Sequence, residues 1–155
     1  MKGTVHYEVT DGIAVLTVDN PPVNPLSDGV RAGLFDGIAN AEADGDVVGV
    51  VVTGKGRAFI AGADISEFGG EGDGHGLHTV FKNLEFCSKP VVAAINGLAL
   101  GGGLETALCC NYRIASKDAF VGLPEVHLGL LPGAGGTQRL PRLTGPAEAL
   151  KIMLS

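Results

Sequence analysis

Residues 96–110 read N-G-L-A-L-G-G-G-L-E-T-A-L-C-C, and this stretch decides the fold. The apolar run Pro90–Ile95 before it is typical of a strand, and the segment after the glycines is typical of a helix. Three consecutive glycines, Gly101–Gly103, let the backbone approach a ligand closely because no Cβ intervenes. The first amides of a helix are unpaired and carry partial positive charge. The pattern therefore predicts a site that can stabilise an oxyanion.

Glu105 carries the single charge of this mostly apolar helical segment. A buried carboxylate is costly unless it is paired or hydrogen-bonded. One interpretation is a structural ion pair, for example with Arg113. The other is a catalytic acid or base, because perturbed buried acids occur in both settings. The spacing alone leaves both open.

The composition limits the class of protein. The chain has 155 residues, 45% hydrophobic residues and a net charge of −6, which fits one globular domain over residues 1–155. It has no basic cluster, so a nucleic-acid interface is not expected. No apolar run approaches the roughly 20 residues of a membrane span, and no signal or transit peptide is recognised. Three cysteines without metal-ligand spacing are typical of buried free thiols in a reducing compartment. We therefore expect a cytoplasmic location.

The hydrophobic pattern predicts alternating strands and helices, and so an α/β fold. Asp11-Gly12 separates two strand-like runs and indicates a hairpin, whereas V-V-G-V-V-V-T indicates a strand covered on both faces. The predicted strands are 4–10, 13–18, 47–53, 91–95, 112–115 and 119–122, and the predicted helices are 28–43, 77–88, 137–143 and 147–154.

Three predicted loops connect these elements. Residues 58–64 are rich in small side chains, and residues 122–136 are punctuated by glycine and proline. Residues 67–76 are glycine-rich and acidic, so we expect a mobile surface loop there. The chain ends inside an apolar helical pattern, which predicts a fold cut short before its C-terminal helices.

Two apparent motifs do not support the nucleotide or metal site that each suggests. Residues 49–55 fit G-x-x-x-x-G-K, but Gly56 replaces the Ser or Thr that would bind magnesium, and the intervening residues are strand-like. His75 and His78 share a helical spacing without further ligands nearby in the sequence, so we interpret them as exposed residues and expect no metal site.

Four stretches in order resemble the crotonase (enoyl-CoA hydratase/isomerase) superfamily. They are A-F-I-A-G-A-D-I (58–65), K-P-V-V-A-A-I-N-G (89–97), A-L-G-G-G-L-E (99–105) and G-L-P-E-V-H-L-G-L-L-P-G-A-G-G-T-Q-R-L (122–140). The segments N-P-P-V-N (20–24) and Y-R-I-A (112–115) are most similar to the N-terminal unit of multifunctional fatty-acid oxidation enzymes. The resemblance implies a spiral of repeated β-β-α units.

The resemblance also implies roles for individual residues. Ala63 and Gly102 match the two positions whose amides form the oxyanion hole, and Glu105 and Glu125 match the two catalytic glutamates. Positions that contact coenzyme A in the family correspond to Val23, Arg57, Ala61 and Ile65. Another interpretation of Glu125 is a loop carboxylate that pairs with Arg139 or Arg142.

The implied activity is hydration of 2-enoyl-CoA thioesters in fatty-acid β-oxidation. An oxyanion hole stabilises the enolate, Glu105 activates water and Glu125 transfers a proton at the α carbon. The alternatives are a Δ3-Δ2-enoyl-CoA isomerase, which depends mainly on Glu125, and an inactive, truncated CoA-binding module. No cofactor is expected because coenzyme A is part of the substrate. The family also implies a homotrimer or hexamer, although the chain ends before the helices that support it.

Overall fold

The computed structural model describes residues 2–64, 67 and 75–154. Within these ranges the chain alternates between strands and helices, and a 3-10 helix spans Pro124–Leu128. The strands are β1 Thr4–Thr10, β2 Ile13–Asp19, β3 Gly49–Gly54, β4 Ala58–Ile60, β5 Val91–Ile95, β6 Leu98–Leu100, β7 Tyr112–Ala115 and β8 Phe120–Gly122. The α-helices are α1 Asp28–Ala43, α2 Leu77–Glu85, α3 Gly102–Cys109, α4 Gly136–Thr144 and α5 Pro146–Leu154.

The strands form two sheets. The larger has the order β1-β2-β3-β5-β7, and the smaller has the order β4-β6-β8. Strands β1 and β2 form the antiparallel hairpin predicted around Asp11-Gly12, with Thr10 opposite Ile13. The remaining pairs in both sheets are parallel. Parallel strands need crossover connections, and the helices supply them.

The repeating unit is two strands followed by a helix. The first strand of each unit joins the larger sheet and the second joins the smaller, as in β3-β4-α2, β5-β6-α3 and β7-β8-α4. Successive units therefore stack the small sheet beside the large one. The spiral of β-β-α units expected from the sequence is confirmed.

The main core lies between the larger sheet and helices α1 and α2. Leu34 and Ile38 of α1 and Phe81 and Leu84 of α2 are buried there with the inward side chains of β2 and β3. Each such large apolar side chain contributes about 1.5–3 kcal/mol when fully buried. A second cluster, formed mainly by side chains of α3, α4 and α5, lies beyond the smaller sheet.

Several predicted boundaries were wrong. The loop expected over residues 58–64 begins with strand β4, because Ala58 and Ile60 pair with β6. The helix expected over 77–88 ends at Glu85, since Ser88 and Lys89 turn to bind the C-terminal end of α1. The loop expected over 122–136 contains the 3-10 helix. Three-residue strands depend on tertiary pairing, which local patterns do not encode.

Two sequence predictions fall outside the described residues. They are the CoA contact at Ile65 and, for residues 68–74, the mobile surface loop. In the described ranges, no helix is both long and apolar enough to span a membrane.

Candidate active site

The candidate site lies where the three strands of the smaller sheet end. Because β4, β6 and β8 are parallel neighbours, their carboxyl ends meet at one edge. The segments that follow them are 61–63, 101–103 and 123–125. Ligand sites of parallel sheets commonly lie at this edge. The topology thus assembles three of the four sequence motifs from distant parts of the chain.

The amides of Ala63 and Gly102 lie next to each other. A Cβ built on Gly102 would be 3.7 Å from the Ala63 nitrogen. Gly102 is the first residue of α3, so helix geometry leaves its amide unpaired. In the described part of the chain, neither amide donates a hydrogen bond to protein. Leu26 supports this arrangement, because its amide donates to the Gly62 carbonyl at 2.9 Å and its side chain lies under Gly102.

Glu105 is fixed by backbone amides and is only 3% exposed. Its Oε1 accepts hydrogen bonds from the amide of Ala134 at 2.9 Å and from the amide of Gly136 at 2.8 Å. Gly136 is the first residue of α4, so the positive end of that helix faces the carboxylate. Two charge-assisted bonds therefore set the orientation of the side chain.

Burial raises the pKa of Glu105 above its ordinary value. The amides of Gly136 and Ala134 and the charges of Arg139 and His78 oppose this rise but do not cancel it. The ion pair with Arg113 considered from the sequence is wrong. The Arg113 guanidinium instead donates to the carbonyls of Ala107 and Cys110 at the end of α3. A cation at a helix C-terminus is the favourable arrangement there.

Glu125 enters the site from the 3-10 helix, in which Pro124 is the first residue. Its Oε1 lies 3.1 Å from the position of a Cβ on Gly101, whose φ of 51° also favours glycine. Its Oε2 is inaccessible to solvent and has no hydrogen-bond partner in the described ranges. Burial raises the pKa of Glu125, and repulsion from Glu105 raises it further.

The alternative pairing of Glu125 with Arg139 or Arg142 is also wrong. Arg139 forms a two-pronged ion pair with Glu85, and Arg142 donates to the carbonyl of Gln138 in its own helix. Among the described residues Glu125 therefore has no cationic partner, and burial favours its protonated form.

A cavity of about 500 Å³ connects these groups. Ala63, Gly102, Glu105 and Glu125 all line it. Most of the remaining wall is apolar and includes Leu77, Leu100, Pro124, Leu128, Leu130 and Leu131. An apolar cleft of this size with a few convergent polar groups is typical of a small-molecule site. Within the described ranges, no three His, Cys, Asp or Glu side chains are grouped so as to hold a metal ion.

The residues predicted to contact coenzyme A are only partly gathered here. Ala61 lines the cavity, and its amide donates to the Val23 carbonyl at 3.1 Å, so Val23 lies directly behind it. Arg57 is exposed in the turn before β4, outside the described wall of the cavity.

Sequence reasoning missed three contributors. His78, interpreted from the sequence as a solvent-exposed residue, is exposed, but it also lines the cavity from the first turn of α2. The amides of Ala134 and Gly136 bind Glu105, although residues 122–136 were predicted only as a loop rich in glycine and proline. The sequence does show a glycine, Gly136, between a proline-punctuated loop and a helical segment. It does not show that the partner of this glycine is Glu105, which lies 31 residues earlier in the chain.

Comparison with known proteins agrees with this architecture. A family model described as enoyl-CoA hydratase/isomerase matches residues 8–155. The chain is 48% identical to the glyoxysomal fatty acid beta-oxidation multifunctional protein MFP-a of Cucumis sativus over 99% of its own length. It is 46% identical to a probable enoyl-CoA hydratase of Bacillus subtilis over 96% of its length. The structure of Pseudomonas aeruginosa DspI superposes with a TM-score of 0.89 at 38% identity, covering 97% of this chain.

The chain is shorter than these relatives. It spans 23% of the Cucumis sativus protein, 60% of the Bacillus subtilis protein and 65% of the DspI chain. The family model nevertheless covers almost all of the chain, including the β-β-α units and the three strand ends that form the cavity. The chain belongs to the enoyl-CoA hydratase/isomerase family.

Proposed function

We propose that the chain is an enoyl-CoA hydratase, which adds water across the double bond of a 2-enoyl-CoA thioester. The supporting observation is that two carboxyl groups, those of Glu105 and Glu125, and two backbone amides, those of Ala63 and Gly102, line one apolar cavity. Among the residues that the structure describes, neither amide has a hydrogen-bond acceptor. Addition to an enoyl thioester needs stabilisation of negative charge on the thioester oxygen, a base for water and an acid for carbon. The cavity contains one group for each need.

In this proposal the thioester oxygen lies between the amides of Ala63 and Gly102. Charge that develops there on addition of water meets two preformed donors, and one of them is at a helix N-terminus. Loss of a comparable donor in other enzymes lowers kcat by about 10²–10³. Coenzyme A belongs to the substrate, so no further cofactor is proposed.

We assign water activation to Glu105. Because Ala134 and Gly136 hold Oε1, the other carboxylate oxygen is the one assigned to accept a proton as water attacks the β carbon. The hydrogen bonds keep that oxygen in a fixed direction, which is the positional contribution that general base catalysis requires.

We assign proton delivery to Glu125. A carboxylic acid that donates to the α carbon must carry a proton. Burial and repulsion from Glu105 both shift the pKa of Glu125 toward that form. After addition, Glu105 carries the proton from water and Glu125 is ionised. Exchange with solvent restores both groups, so atoms and charges balance over one turnover.

A Δ3-Δ2-enoyl-CoA isomerase is the second candidate, because the matching family model includes both activities. Isomerisation moves a proton between two carbons and depends mainly on Glu125. Hydration also needs a base for water. A Glu105→Gln variant should therefore lose hydration far more than isomerisation.

Purified wild-type protein assayed with crotonyl-CoA and with a 3-enoyl-CoA tests the proposal. We expect hydration of crotonyl-CoA that exceeds isomerisation. Isomerisation without hydration would support the second candidate. Turnover of neither substrate, with a monomer in size-exclusion chromatography and no CoA-ester binding by calorimetry, would support the inactive module.

Trimeric or hexameric assembly and cytoplasmic location remain predictions from the sequence. The relatives include a glyoxysomal protein and a bacterial one. Size-exclusion chromatography with light scattering measures the assembly directly.

A further inference from the structure

Arg139 joins two elements that flank the candidate site. Its Nε and Nη2 donate to the two carboxylate oxygens of Glu85, at 3.2 and 2.6 Å. Its Nη1 donates to the Ala134 carbonyl at 3.1 Å. The guanidinium thus connects the end of α2 to the turn before α4. Such a two-pronged pair fixes direction as well as distance, which a lysine cannot do.

The turn that Arg139 holds is the turn that holds Glu105. The Ala134 carbonyl accepts from Arg139, while the Ala134 amide donates to Glu105 Oε1 at 2.9 Å. Gly135 lies between the two Glu105 donors with a φ of 106°, and a Cβ there would collide with the Arg139 guanidinium. Glycine at 135 and arginine at 139 are therefore matched to each other.

We propose that Arg139, anchored by Glu85, is a positioning residue that fixes the 134–136 turn and through it the Glu105 carboxylate. Arg139 lies outside the described wall of the cavity, so it acts through the backbone and its charge. This inference rests on the proposed role of Glu105 and adds the device that sets the geometry of that residue.

The charge of Arg139 should affect the pKa of Glu105, and a purely structural ion pair would have no such effect. The ionisable groups around Glu105 are His78 on α2, Glu125 on the 3-10 helix, Arg139 on α4 and Cys109 on α3 itself. Of these, Arg139 and His78 favour the ionised carboxylate. Removing the positive charge at 139 should raise the pKa of Glu105. As the pH is lowered, activity that needs ionised Glu105 should then begin to fall at a higher pH than in wild type.

The test compares Arg139→Gln and Arg139→Lys with Arg142→Gln, a matched control whose side chain is exposed on the same helix. Arg139→Gln should lower kcat for crotonyl-CoA hydration by about tenfold, because a misplaced base is costly, with KM changed less than about twofold. Arg139→Lys should lose activity over the same acidic pH range as wild type, but its kcat should stay reduced. Arg142→Gln should match wild type.

A second readout does not depend on turnover. Carbon-13 NMR titration of labelled glutamate carboxyls, assigned with Glu105→Gln, should show the Glu105 pKa raised in Arg139→Gln and restored in Arg139→Lys. If wild type hydrates nothing, the proposed function fails, and this titration still decides the inference. If Arg139→Gln does not fold, Arg139→Lys decides it, and a wild-type kcat in that variant would overturn the inference.

A double variant tests the anchoring by Glu85. If Glu85 acts through Arg139, Arg139→Gln/Glu85→Gln should have the same kcat as Arg139→Gln alone, because residues that share one interaction are not additive. A kcat for the double variant that is clearly lower than that of Arg139→Gln would overturn the coupling. If kcat falls in Arg139→Gln while the pKa of Glu105 is unchanged, the ion pair is structural and the proposal is overturned.

Discussion

Glu105 Oε1 accepts a hydrogen bond from the amide of Gly136 at 2.8 Å, across 31 residues of sequence. A Cβ at residue 136 would lie 3.0 Å from that oxygen and 2.9 Å from Leu123. Gly136→Ala should therefore push the carboxylate from its position and lower kcat for hydration by about 10²-fold. The measurement is steady-state hydration of crotonyl-CoA, with Gly45→Ala as control because nothing lies within 4 Å of a Cβ there. Equal kcat values for the two variants would contradict this prediction.

Two adjacent glycines should separate catalysis from stability. A Cβ at Gly103 would collide with the Ile60 carbonyl, whereas a Cβ at Gly102 would meet the Leu26 side chain at 3.1 Å and lie beside the Ala63 amide. Gly103→Ala should destabilise the fold by about 1–3 kcal/mol through overpacking. Gly102→Ala should change stability little but lower kcat by about 10²-fold, as expected when an oxyanion site is obstructed. Urea unfolding and hydration kinetics of both variants provide the check, and the reverse pattern would refute the assignment of the two positions.

Glu125→Gln should stabilise the protein at neutral pH. The pKa of Glu125 is raised in the folded state by burial and by Glu105, so the folded form holds its proton more tightly than the unfolded form. The penalty for ionising it appears as pH rises above the unfolded pKa of about 4.3 and persists at pH 7. Gln carries no charge, so the melting temperature of the variant should exceed that of wild type at pH 7, with a smaller difference at pH 4.

Thermal unfolding at both pH values measures this effect, and Glu8→Gln on the exposed side of β1 serves as control. A lower melting temperature for Glu125→Gln at pH 7 would show that its carboxylate stabilises the fold. A gain in stability together with a loss of activity is a common trade-off at an active site.

The three thiols should differ in reactivity. Burial raises the pKa of Cys109 and of Cys110 to about 12, so neither forms thiolate near pH 8. Cys87 is half-buried, and its pKa is also raised, mainly by burial. A disulfide reagent such as DTNB at pH 8 should titrate at most one thiol in the native protein and three in guanidinium. Rapid titration of two or more native thiols would contradict the described burial of α3.

Several elements of the fold could be predicted from local sequence signals, whereas the β-β-α spiral was expected from the family resemblance. The Asp11-Gly12 hairpin, the helix over 28–43 and the strand over 91–95 depend on turn chemistry and periodicity, and all three are confirmed. The short strands β4, β6 and β8 exist only through pairing within the smaller sheet. Their register is a long-range property, which explains why the loop expected at 58–64 was wrong.

The candidate site could likewise be predicted only in part. The residue types at Glu105 and Glu125 were recognisable from motifs, but the partners of the two carboxylates were not. The sequence suggested Arg113, Arg139 or Arg142, whereas backbone amides hold Glu105 and no described group pairs with Glu125 Oε2. Backbone donors have no side-chain signature, so only the fold reveals them.

Hydration of crotonyl-CoA by wild type, Glu105→Gln, Glu125→Gln and the double variant is the most direct measurement of whether the two carboxylates act together. We predict that each single variant lowers kcat by at least about 10³-fold and that the double variant is little worse, because groups acting on one transition state are strongly non-additive. Single variants that hydrate the substrate within about twofold of wild type would contradict the account.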